Sequence, residues 1–362
     1  MTVPGAGLAG RRVLVTGHTG FVGSWLVLAL SQIGAEVTGL AGPAMTGGLY
    51  ERAGLRQLLA ASVEGDIRDL ATVDDAVRRH RPELVFHLAA LATVPESYRD
   101  PVGTFATNVM GTAHVLDAAR RSPTASACLV ATSDKCYSPA DKPHPEGDRL
   151  GGDDPYSASK GAAELVVRAY ARSYPTGPAL ATTRAGNIIG GGDATVGRIV
   201  PDFASAAAAR RPLQLRRPDA VRPWQHVCDC VAGYLLLADR LLQDPARGTG
   251  PWNLGSDPGE ALTVRALVDA LGDEWSTLEG EPLPSPEVVP SGDAETGVLL
   301  LDSSRARRML SWRPASTAQG AARLAARWYW NAWHTTGFDA LDYSLREMAG
   351  FQTRQQPQGA SR

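Results

Sequence analysis

The sequence predicts an α/β fold in which a Rossmann-like, doubly wound parallel sheet is joined to a smaller C-terminal substrate-binding domain. Short runs rich in β-branched residues alternate with longer stretches of helical periodicity, which is the pattern of βαβ units. A glycine-rich turn, Thr16-Gly17-His18-Thr19-Gly20-Phe21-Val22-Gly23, stands between the first predicted strand and the first predicted helix. Such a turn at that place is typical of dinucleotide-binding folds. The crossovers are expected to be right-handed, with helices on both faces of the sheet.

The individual elements follow from the same periodicity. The predicted strands of the first domain are Arg12–Thr16, Glu36–Leu40, Ser62–Gly65, Leu84–Leu88, Ala127–Thr132 and Ala179–Arg184. The predicted helices are Phe21–Ile33, Leu70–Arg79, Val102–Arg121 and Tyr156–Tyr174. After Arg184, glycines and prolines interrupt the pattern, and we expect helix Val227–Leu242 and strand Trp252–Leu254 to return to the first domain.

These elements divide the chain into two predicted domains. Residues 1–186 would bind the dinucleotide, with 227–255 joining them, and residues 187–226 and 256–351 would bind the substrate. The second part contains a predicted strand at Gly297–Leu301 and a predicted helix Ala318–Thr335, for which Thr317 is a suitable N-cap. The polar end, 352–362, is expected to be disordered.

Composition excludes several classes of function. The chain has 362 residues, of which 44% are hydrophobic and 20% charged, and a net charge of -2. These values are ordinary for a globular protein and give no reason to expect nucleic acid or an anionic membrane as partner. We find no apolar run of transmembrane length, and Met1 to Gly10 lacks the basic-then-apolar layout of a secretory signal.

The cysteines and histidines do not predict a metal site. Cys128, Cys136, Cys228 and Cys230 lie within or beside apolar runs, and the last two are separated by one residue instead of the two of common zinc motifs. The seven histidines form no ligand-like cluster in the sequence. We therefore expect four reduced cysteines, no metal and a cytoplasmic location.

The glycine-rich turn has the features needed to bind a dinucleotide. Gly17 permits a tight turn, Gly20 lets the backbone approach a diphosphate, and Gly23 lets the helix pack closely on the sheet. We also expect cofactor contacts from Thr19, Phe21 and Val22 in the same turn. The spacing, G-x-x-G-x-x-G, is similar to that of extended short-chain dehydrogenase/reductases.

The second strand favours NAD over NADP. The acidic residue that often binds the adenine ribose is missing from Leu40-Ala41-Gly42-Pro43, but no arginine follows that strand directly, and Arg52 is the nearest. Other cofactor contacts are predicted where later strands end and on one helix, at Asp66, Ile67, Leu88, Ala89, Ala90, Asn108 and Thr132. For Asp66 and Ile67, an ordinary strand end remains the alternative.

Tyr156 and Lys160 form a candidate acid/base pair. In a helix they lie one turn apart on the same face. An ammonium beside a phenol favours the phenolate, so we expect the pKa of Tyr156 to fall from about 10 toward neutral pH. The phenolate would then be a general base able to take the proton of a hydroxyl while hydride leaves the same carbon.

A second group of candidate catalytic residues follows the fifth predicted strand, at the sheet edge where ligands bind. Ser133 can donate a hydrogen bond to the oxygen being oxidised, which completes a Ser–Tyr–Lys set. Asp134 and Lys135 add a second acid/base pair that a plain dehydrogenase does not need. The alternative for Asp134 and Lys135 is a solvated turn.

Several stretches, in order over nearly the whole chain, resemble the CDP-glucose 4,6-dehydratase family. They are Val15–Phe21, Thr107–Thr112, Thr132–Tyr137, Asp154–Ser157, Ser159–Gly161, Arg184–Asn187 with Gly190–Asp193, and Arg222–Val227. The Ser-Asp-Lys and Arg-Pro-Trp-Gln-His pieces are specific to that family within its superfamily. The resemblance implies NAD as a bound catalytic cofactor, a sugar-nucleotide substrate and a homodimer formed by the helices at Val102–Arg121 and Tyr156–Tyr174.

The resemblance also implies roles for the residues. Tyr156, with Lys160 and Ser133, would take the C4 hydroxyl proton as hydride leaves C4. Asp134 would protonate the leaving hydroxyl, and Lys135 occupies the position of the base at C5. Asn187 and Arg222 match positions that hold the substrate's diphosphate, and Arg198 is a further candidate phosphate contact. On the sequence alone, Arg222 could instead form a surface ion pair.

Departures from the family pattern leave the substrate open. The family usually continues Gln-Pro-Leu-Val-Arg where this chain has Leu91-Ala92-Thr93-Val94-Pro95. A Trp and an Asp expected after Asp193 are replaced, the segment after Tyr137 is shortened, and Val22 replaces a lysine. A CDP-hexose is favoured, but the base and the sugar are not determined. The alternatives are a sugar-nucleotide 4-epimerase, which would not need Asp134-Lys135, and an NAD-binding regulator, against which the Ser133–Tyr156–Lys160 set argues.

Overall fold

A computed structural model, which describes residues 4–290 and 297–354, is built on a seven-stranded parallel sheet. In spatial order the strands are Gly250–Leu254, Ala179–Ala185, Ala127–Ala131, Leu84–His87, Arg12–Thr16, Glu36–Ala41 and Ala61–Glu64. Each neighbouring pair is parallel. The direction of the strand order reverses between Arg12–Thr16 and Leu84–His87, so the ends of these strands form the crevice where doubly wound sheets bind ligands.

Helices cover the sheet and build the remainder of the chain. The α-helices are Phe21–Ile33, Leu49–Arg52, Leu70–His80, Val94–Arg99, Pro101–Phe105, Thr112–Arg121, Pro155–Ser173, Ile199–Ala208, Val227–Gln243, Pro245–Gly248, Val264–Glu279, Ser304–Leu310, Ala318–His334 and Ala340–Arg354. Ala106–Gly111 is π-helical, and short 3₁₀ turns lie at Ala6–Leu8, Leu55–Leu58, Asp134–Cys136 and Pro258–Glu260.

Four pairs of two-residue strands lie beside the main sheet. Ile188–Ile189 pairs with Gln225–His226, Val221–Arg222 with Leu262–Thr263, Gln214–Leu215 with Glu287–Val288, and Pro143–His144 with Leu300–Leu301. The first two pairs hold Asn187 and Arg222 near the carboxyl edge of the main sheet.

The predicted Rossmann elements are confirmed, with bounds that differ by one or two residues. The largest difference concerns the predicted helix Val102–Arg121, which is helical throughout but contains the π-helical segment Ala106–Gly111. Strand Gly250–Leu254 pairs with Ala179–Ala185 at the sheet edge, as expected for a chain that returns to the first domain. The assignment of domains by function stays a prediction.

The C-terminal part differs from the sequence prediction. Helices Val264–Glu279 and Ala340–Arg354 were not predicted, and of Gly297–Leu301 only Leu300–Leu301 is a strand. Gln352 to Arg354, expected to be disordered, form the last turn of a helix, while 355–362 lie outside the described residues. Within the described part of the chain, no helix is long and apolar enough to cross a membrane.

Candidate active site

A cavity of about 390 Å³ opens at the carboxyl edge of the sheet and collects residues from distant parts of the sequence. All of the predicted catalytic and substrate-binding residues line it, together with part of the predicted cofactor site. The predicted residues that line the cavity are Val22, Leu88, Ala90, Thr132, Ser133, Asp134, Lys135, Tyr156, Lys160, Asn187, Arg198 and Arg222.

The glycine-rich turn next to this cavity has the shape required to hold a diphosphate. Gly17 has φ +76°, and a Cβ at that position would lie 2.7 Å from the amide nitrogen of Ala89. A Cβ at Gly23 would lie 2.1 Å from the carbonyl oxygen of Gly17. Gly20 precedes helix Phe21–Ile33 without a side-chain cap, which leaves the helix N-terminus available to phosphate oxygens. The residues present therefore fit a dinucleotide.

The predicted adenine-side contacts lie outside the cavity. The Asp66 carboxylate is exposed and lies 2.5 Å from Nη2 of Arg68, and this hydrogen bond holds the pKa of Asp66 below its usual value. Ile67 is buried, and a Cβ on Gly111 would lie 2.5 Å from its Cδ1. Thr19 donates a hydrogen bond to the carbonyl of Gly42, 3.2 Å away. Contacts of these residues with a cofactor stay predictions.

Asn108 lies in the π-helical segment and holds the loop that follows the fourth strand. Its side-chain oxygen accepts from the amide of Leu91 (2.9 Å), and its nitrogen donates to the Leu91 carbonyl (3.0 Å) and to Oγ of Ser159 (2.9 Å). The residue is 2% exposed. Asn108 thus joins this loop to the helix that carries Tyr156, and a direct cofactor contact by the same amide stays a prediction.

Tyr156 and Lys160 are both buried on helix Pro155–Ser173. Burial raises the pKa of Tyr156 to about 12, against the opposing hydrogen bond with Ser133 and the charge of Arg198. Burial lowers the pKa of Lys160 to about 8, and the charge of Glu164 opposes that change. The Lys160 ammonium donates a hydrogen bond to the carbonyl of Ala131 at 3.2 Å.

The prediction that Lys160 lowers the pKa of Tyr156 is therefore wrong for this structure, because desolvation of the phenol is the larger effect. Of the two groups, Lys160 releases its proton more easily, at about pH 8. Loss of that proton leaves the amine of Lys160 beside the neutral phenol of Tyr156.

Asp134 is a buried carboxyl group and does not belong to a solvated turn. It is 3% exposed, and its Oδ1 accepts a hydrogen bond from Oγ of Ser133 at 2.9 Å. Its Oδ2 has no hydrogen-bond partner among the described residues. A Cβ added to Gly186 would lie 2.0 Å from this oxygen. Burial raises its pKa, which favours the protonated acid. Lys135 follows directly and lines the cavity, half-buried.

The three predicted phosphate-binding residues lie on the other elements that enclose the cavity. Arg222 is 5% exposed, so it is not a surface ion pair, and its Nη1 donates to the carbonyls of Val221 and Gly297 at 2.9 and 3.2 Å. Nη1 of Arg198 lies 3.2 Å from Oδ2 of Asp193. Asn187 has φ +38°, a strained left-handed conformation that asparagine tolerates better than most residues.

Some residues of the site were not identified from the sequence. Gln214, Arg216, Arg217 and Trp224 also line the cavity. Arg216 and Arg217 directly follow strand Gln214–Leu215, and this pair of adjacent cations was the signal available for them. They add positive charge where a diphosphate would be held.

A His–Cys–Glu group lies outside this cavity. Ligand atoms of His226, Cys228 and Glu347 lie within 4.8 Å of one another, a grouping that the sequence did not reveal. Nδ1 of His226 accepts a hydrogen bond from the amide of Cys228, so Nε2 carries the ring proton and faces Oε1 of Glu347 at 3.1 Å. The contact of His226 with Glu347 joins the C-terminal helix to the rest of the molecule.

Comparisons with known proteins show which family this chain resembles. The model of the NAD dependent epimerase/dehydratase family matches residues 13–255. The chain is 38% identical to the CDP-glucose 4,6-dehydratase of Salmonella typhimurium over 94% of its length and 96% of that protein. It is 29% identical to a dTDP-glucose 4,6-dehydratase of Xanthomonas campestris, over 87% of this chain and 92% of that one.

A solved structure shares the fold at similar coverage. The UDP-glucose 4-epimerase of Thermus thermophilus, solved in complex with NAD, superposes with a TM-score of 0.75 and 28% identity, covering 88% of this chain and 98% of that chain. The family model covers most of the sheet and the whole of the glycine-rich turn. The chain belongs to the NAD dependent epimerase/dehydratase family.

Proposed function

We propose that this protein is an NAD-dependent sugar-nucleotide 4,6-dehydratase that converts CDP-glucose, or a related nucleotide hexose, to the 4-keto-6-deoxy sugar nucleotide with loss of water. The observation that carries the proposal is the buried Asp134 carboxyl group, whose Oδ2 lacks a partner among the described residues, in one cavity with Ser133, Tyr156 and Lys160. Oxidation and reduction at a sugar carbon need only the last three. The additional acid is what an elimination needs.

The first step uses Tyr156, Lys160 and Ser133. NAD, held at the glycine-rich turn of Gly17 and Gly20, would supply reversible hydride chemistry for the sugar carbons C4 and C6. Tyr156, as the phenolate that the Lys160 ammonium favours, takes the proton of the C4 hydroxyl, and Ser133 donates a hydrogen bond to the same oxygen. The product of this step is a 4-ketone, which makes the hydrogen on C5 acidic.

The second step uses Asp134 and Lys135. Lys135, as the free amine, removes the C5 proton, and Asp134 gives its proton to the C6 hydroxyl, which leaves as water. The raised pKa of Asp134 keeps its carboxyl group protonated to a higher pH than an exposed aspartate, as this role requires. Once C6 carries the hydride, Lys135 returns its proton to C5. Tyr156 still holds the proton of the C4 hydroxyl and Asp134 has lost its own, so a net transfer of one proton from Tyr156 to Asp134 restores the starting state of the enzyme.

The substrate's diphosphate would be held by Arg198 and Arg222, with Asn187 beside them, because guanidinium groups bind phosphate oxygens in two places. The similarity to the CDP-glucose enzyme of Salmonella supports a CDP-hexose. Residues Ala92 to Pro95 line the cavity, in the segment that departs from the family's usual Gln-Pro-Leu-Val-Arg, and this is where the sugar preference would differ from that of relatives.

We propose further that the enzyme is a cytoplasmic homodimer. The four cysteines are free and buried, which agrees with a reducing compartment. Large apolar side chains are exposed on the helices at Val94–Arg121 and Pro155–Ser173: Tyr98, Val102, Phe105, Met110 and Leu165. These five exposed apolar side chains support a second copy of the chain as the partner of this face.

A 4-epimerase is the second candidate, because one solved relative with bound NAD is a UDP-glucose 4-epimerase. An epimerase would use Tyr156 and Lys160 but would have no task for Asp134. The discriminating test is to incubate the purified protein with CDP-, dTDP-, UDP- and GDP-hexoses and to analyse the products by mass spectrometry. Loss of one water from a CDP-hexose is expected, whereas an isomer of unchanged mass would show an epimerase and contradict the proposal.

A further inference from the structure

We infer that Glu164 is a positioning residue of this site, whose buried carboxylate joins the helix of Tyr156 and Lys160 to the strand ends that carry the catalytic segment. Its importance for catalysis rests on the proposed function. Its effect on Lys160 is a property of the protein itself and can be measured without a substrate.

Glu164 stands one helical turn beyond Lys160, as Lys160 stands one turn beyond Tyr156. The three side chains therefore share one face of helix Pro155–Ser173. Tyr156 and Lys160 line the cavity, but Glu164 does not, and its side chain is 4% exposed. It cannot touch a ligand in the cavity and acts through other groups.

The Glu164 carboxylate connects this helix to two strands. Oε1 accepts a hydrogen bond from Oγ1 of Thr132 at 2.5 Å, and Oε2 accepts one from Oγ1 of Thr182 at 2.8 Å. Nη2 of Arg184 donates to the same Oε2 at 2.6 Å, in an ion pair of which both members are buried. Thr132 directly precedes Ser133, so the carboxylate fixes the start of the catalytic segment relative to the helix that carries Tyr156 and Lys160.

The other ionisable groups around Lys160 do not provide a negative charge. Burial lowers the pKa of His87 to about 3 and raises that of Cys136 well above its ordinary value, so the imidazole and the thiol are neutral at pH 7. Tyr156 is a neutral phenol at that pH, and Arg184 is a cation paired with Glu164. Glu164 is the charge that raises the pKa of Lys160 against the effect of burial.

Removing this charge would lower the pKa of Lys160 further. At a given pH, more of the protein would then hold Lys160 as the neutral amine. An amine stabilises the phenolate of Tyr156 less than an ammonium does, so less of the base that takes the C4 hydroxyl proton would form. The rate would fall although the pH profile moved toward acid, a combination that a role in folding alone does not produce.

The chain allows a direct measurement, because it contains three lysines, Lys135, Lys142 and Lys160. Acetic anhydride labelling over a range of pH, followed by mass spectrometry of the three peptides, gives the titration of each amine. In the wild-type protein we expect Lys160 to titrate at about 8. In Glu164→Gln we expect this midpoint to fall by about one unit, which corresponds to a tenfold change in the equilibrium. Lys142, which is exposed and pairs with Asp148, is the internal reference.

Two matched variants separate charge from packing. Glu164→Asp keeps the charge and should leave the Lys160 midpoint close to the wild-type value. Thr182→Val removes one hydrogen bond to the Glu164 carboxylate but keeps the negative charge. It should also leave the Lys160 midpoint unchanged. Equal midpoints in the wild-type protein and Glu164→Gln, or an equal shift in Thr182→Val, would overturn the inference.

Should Glu164→Gln not fold, because it leaves Arg184 buried without its partner, the double variant Glu164→Gln/Arg184→Met removes both charges. Its Lys160 midpoint should also lie below the wild-type value, although less so than in Glu164→Gln because the Arg184 cation is removed as well. A midpoint equal to that of the wild-type protein would contradict the inference. With a substrate, the kcat of a folded Glu164→Gln variant should fall about tenfold at pH 7.5, with KM within about twofold of the wild-type value. If the wild-type protein dehydrates no sugar nucleotide, the proposed function fails, while the labelling still decides the role of Glu164.

Discussion

Asp134 is the residue on which the distinction between dehydratase and epimerase depends. Replacing it with asparagine keeps the size of the side chain and removes the proton that the leaving hydroxyl needs. In Asp134→Asn we expect NAD binding and the first oxidation to be retained, while water loss falls by about two orders of magnitude or more. Single-turnover absorbance of the reduced nicotinamide reports the oxidation, and mass spectrometry of the quenched reaction reports the elimination.

An exposed aspartate in the following loop provides the control for this variant. Asp141→Asn makes the same chemical change outside the cavity and should dehydrate at the wild-type rate. Dehydration by Asp134→Asn at the wild-type rate would show that another group protonates the leaving hydroxyl.

At the residue scale, the sequence identified which side chains lie together but not their protonation states. Ser133, Asp134, Tyr156 and Lys160 do line one cavity, as their motifs predicted. The direction of the pKa change at Tyr156 was not predictable, because it depends on how fully the surrounding chain excludes water from the phenol. Glu164 was not singled out for the same reason: its partners Thr132, Thr182 and Arg184 come from two strands and become neighbours only in the fold.

At the scale of elements, helix Pro155–Ser173 is positioned by its N-cap. The Asp154 carboxylate accepts hydrogen bonds from the amide of Ser157 at 2.9 Å and from its hydroxyl at 2.6 Å. Tyr156 lies in the first turn of this helix, so the cap also fixes the phenol. We expect Asp154→Ala to cost about 1 kcal/mol of stability and, in addition, to lower kcat several-fold.

Another capped helix gives the matched control. Asp69 caps helix Leu70–His80, far along the chain from the catalytic residues, through a bond from the amide of Ala71. Asp69→Ala should lose a similar free energy of unfolding, measured by urea denaturation, with kcat unchanged. If both variants lost stability and neither lost activity, the cap would not position Tyr156.

Some of the elements that were not predicted do have a recognisable pattern in the sequence. Helix Val264–Glu279 begins at a Thr263 cap and buries Leu267, Val268, Leu271 and Trp275 on one face, a period that is readable in the sequence. The surrounding Pro- and Gly-rich segments obscured it. The π-helical segment that carries Asn108 had no such signal, because π-turns arise from local tertiary constraints, here the hydrogen bonds of Asn108 to Leu91 and Ser159.

At the scale of the whole molecule, the parallel sheet could be predicted because each βαβ unit carries its own pattern, and the family model covers this part of the chain. The packing of the C-terminal helices against the sheet could not be predicted. The contact of His226 with Glu347 joins residues 121 positions apart, and no pattern in the sequence indicates that these two residues are neighbours. The site lies where the two parts meet, so the strand ends were predictable while several cavity-lining arginines were not.

The exposed apolar face of the molecule leads to the last prediction. Val102 is 78% exposed and Met110 53% exposed, on the helical stretch that precedes Thr112. If this face joins two copies, Val102→Glu places two carboxylates in an apolar interface and should convert the dimer to a monomer. Sedimentation velocity at micromolar concentration measures the change.

Leu70→Glu, at another exposed apolar position on a different helix, should remain dimeric. A wild-type protein that sediments as a monomer, or a Val102→Glu variant that remains a dimer, would show that this face has a different role. Because the same stretch carries Asn108 and packs against the helix of Tyr156, the monomer is also expected to lose part of its kcat.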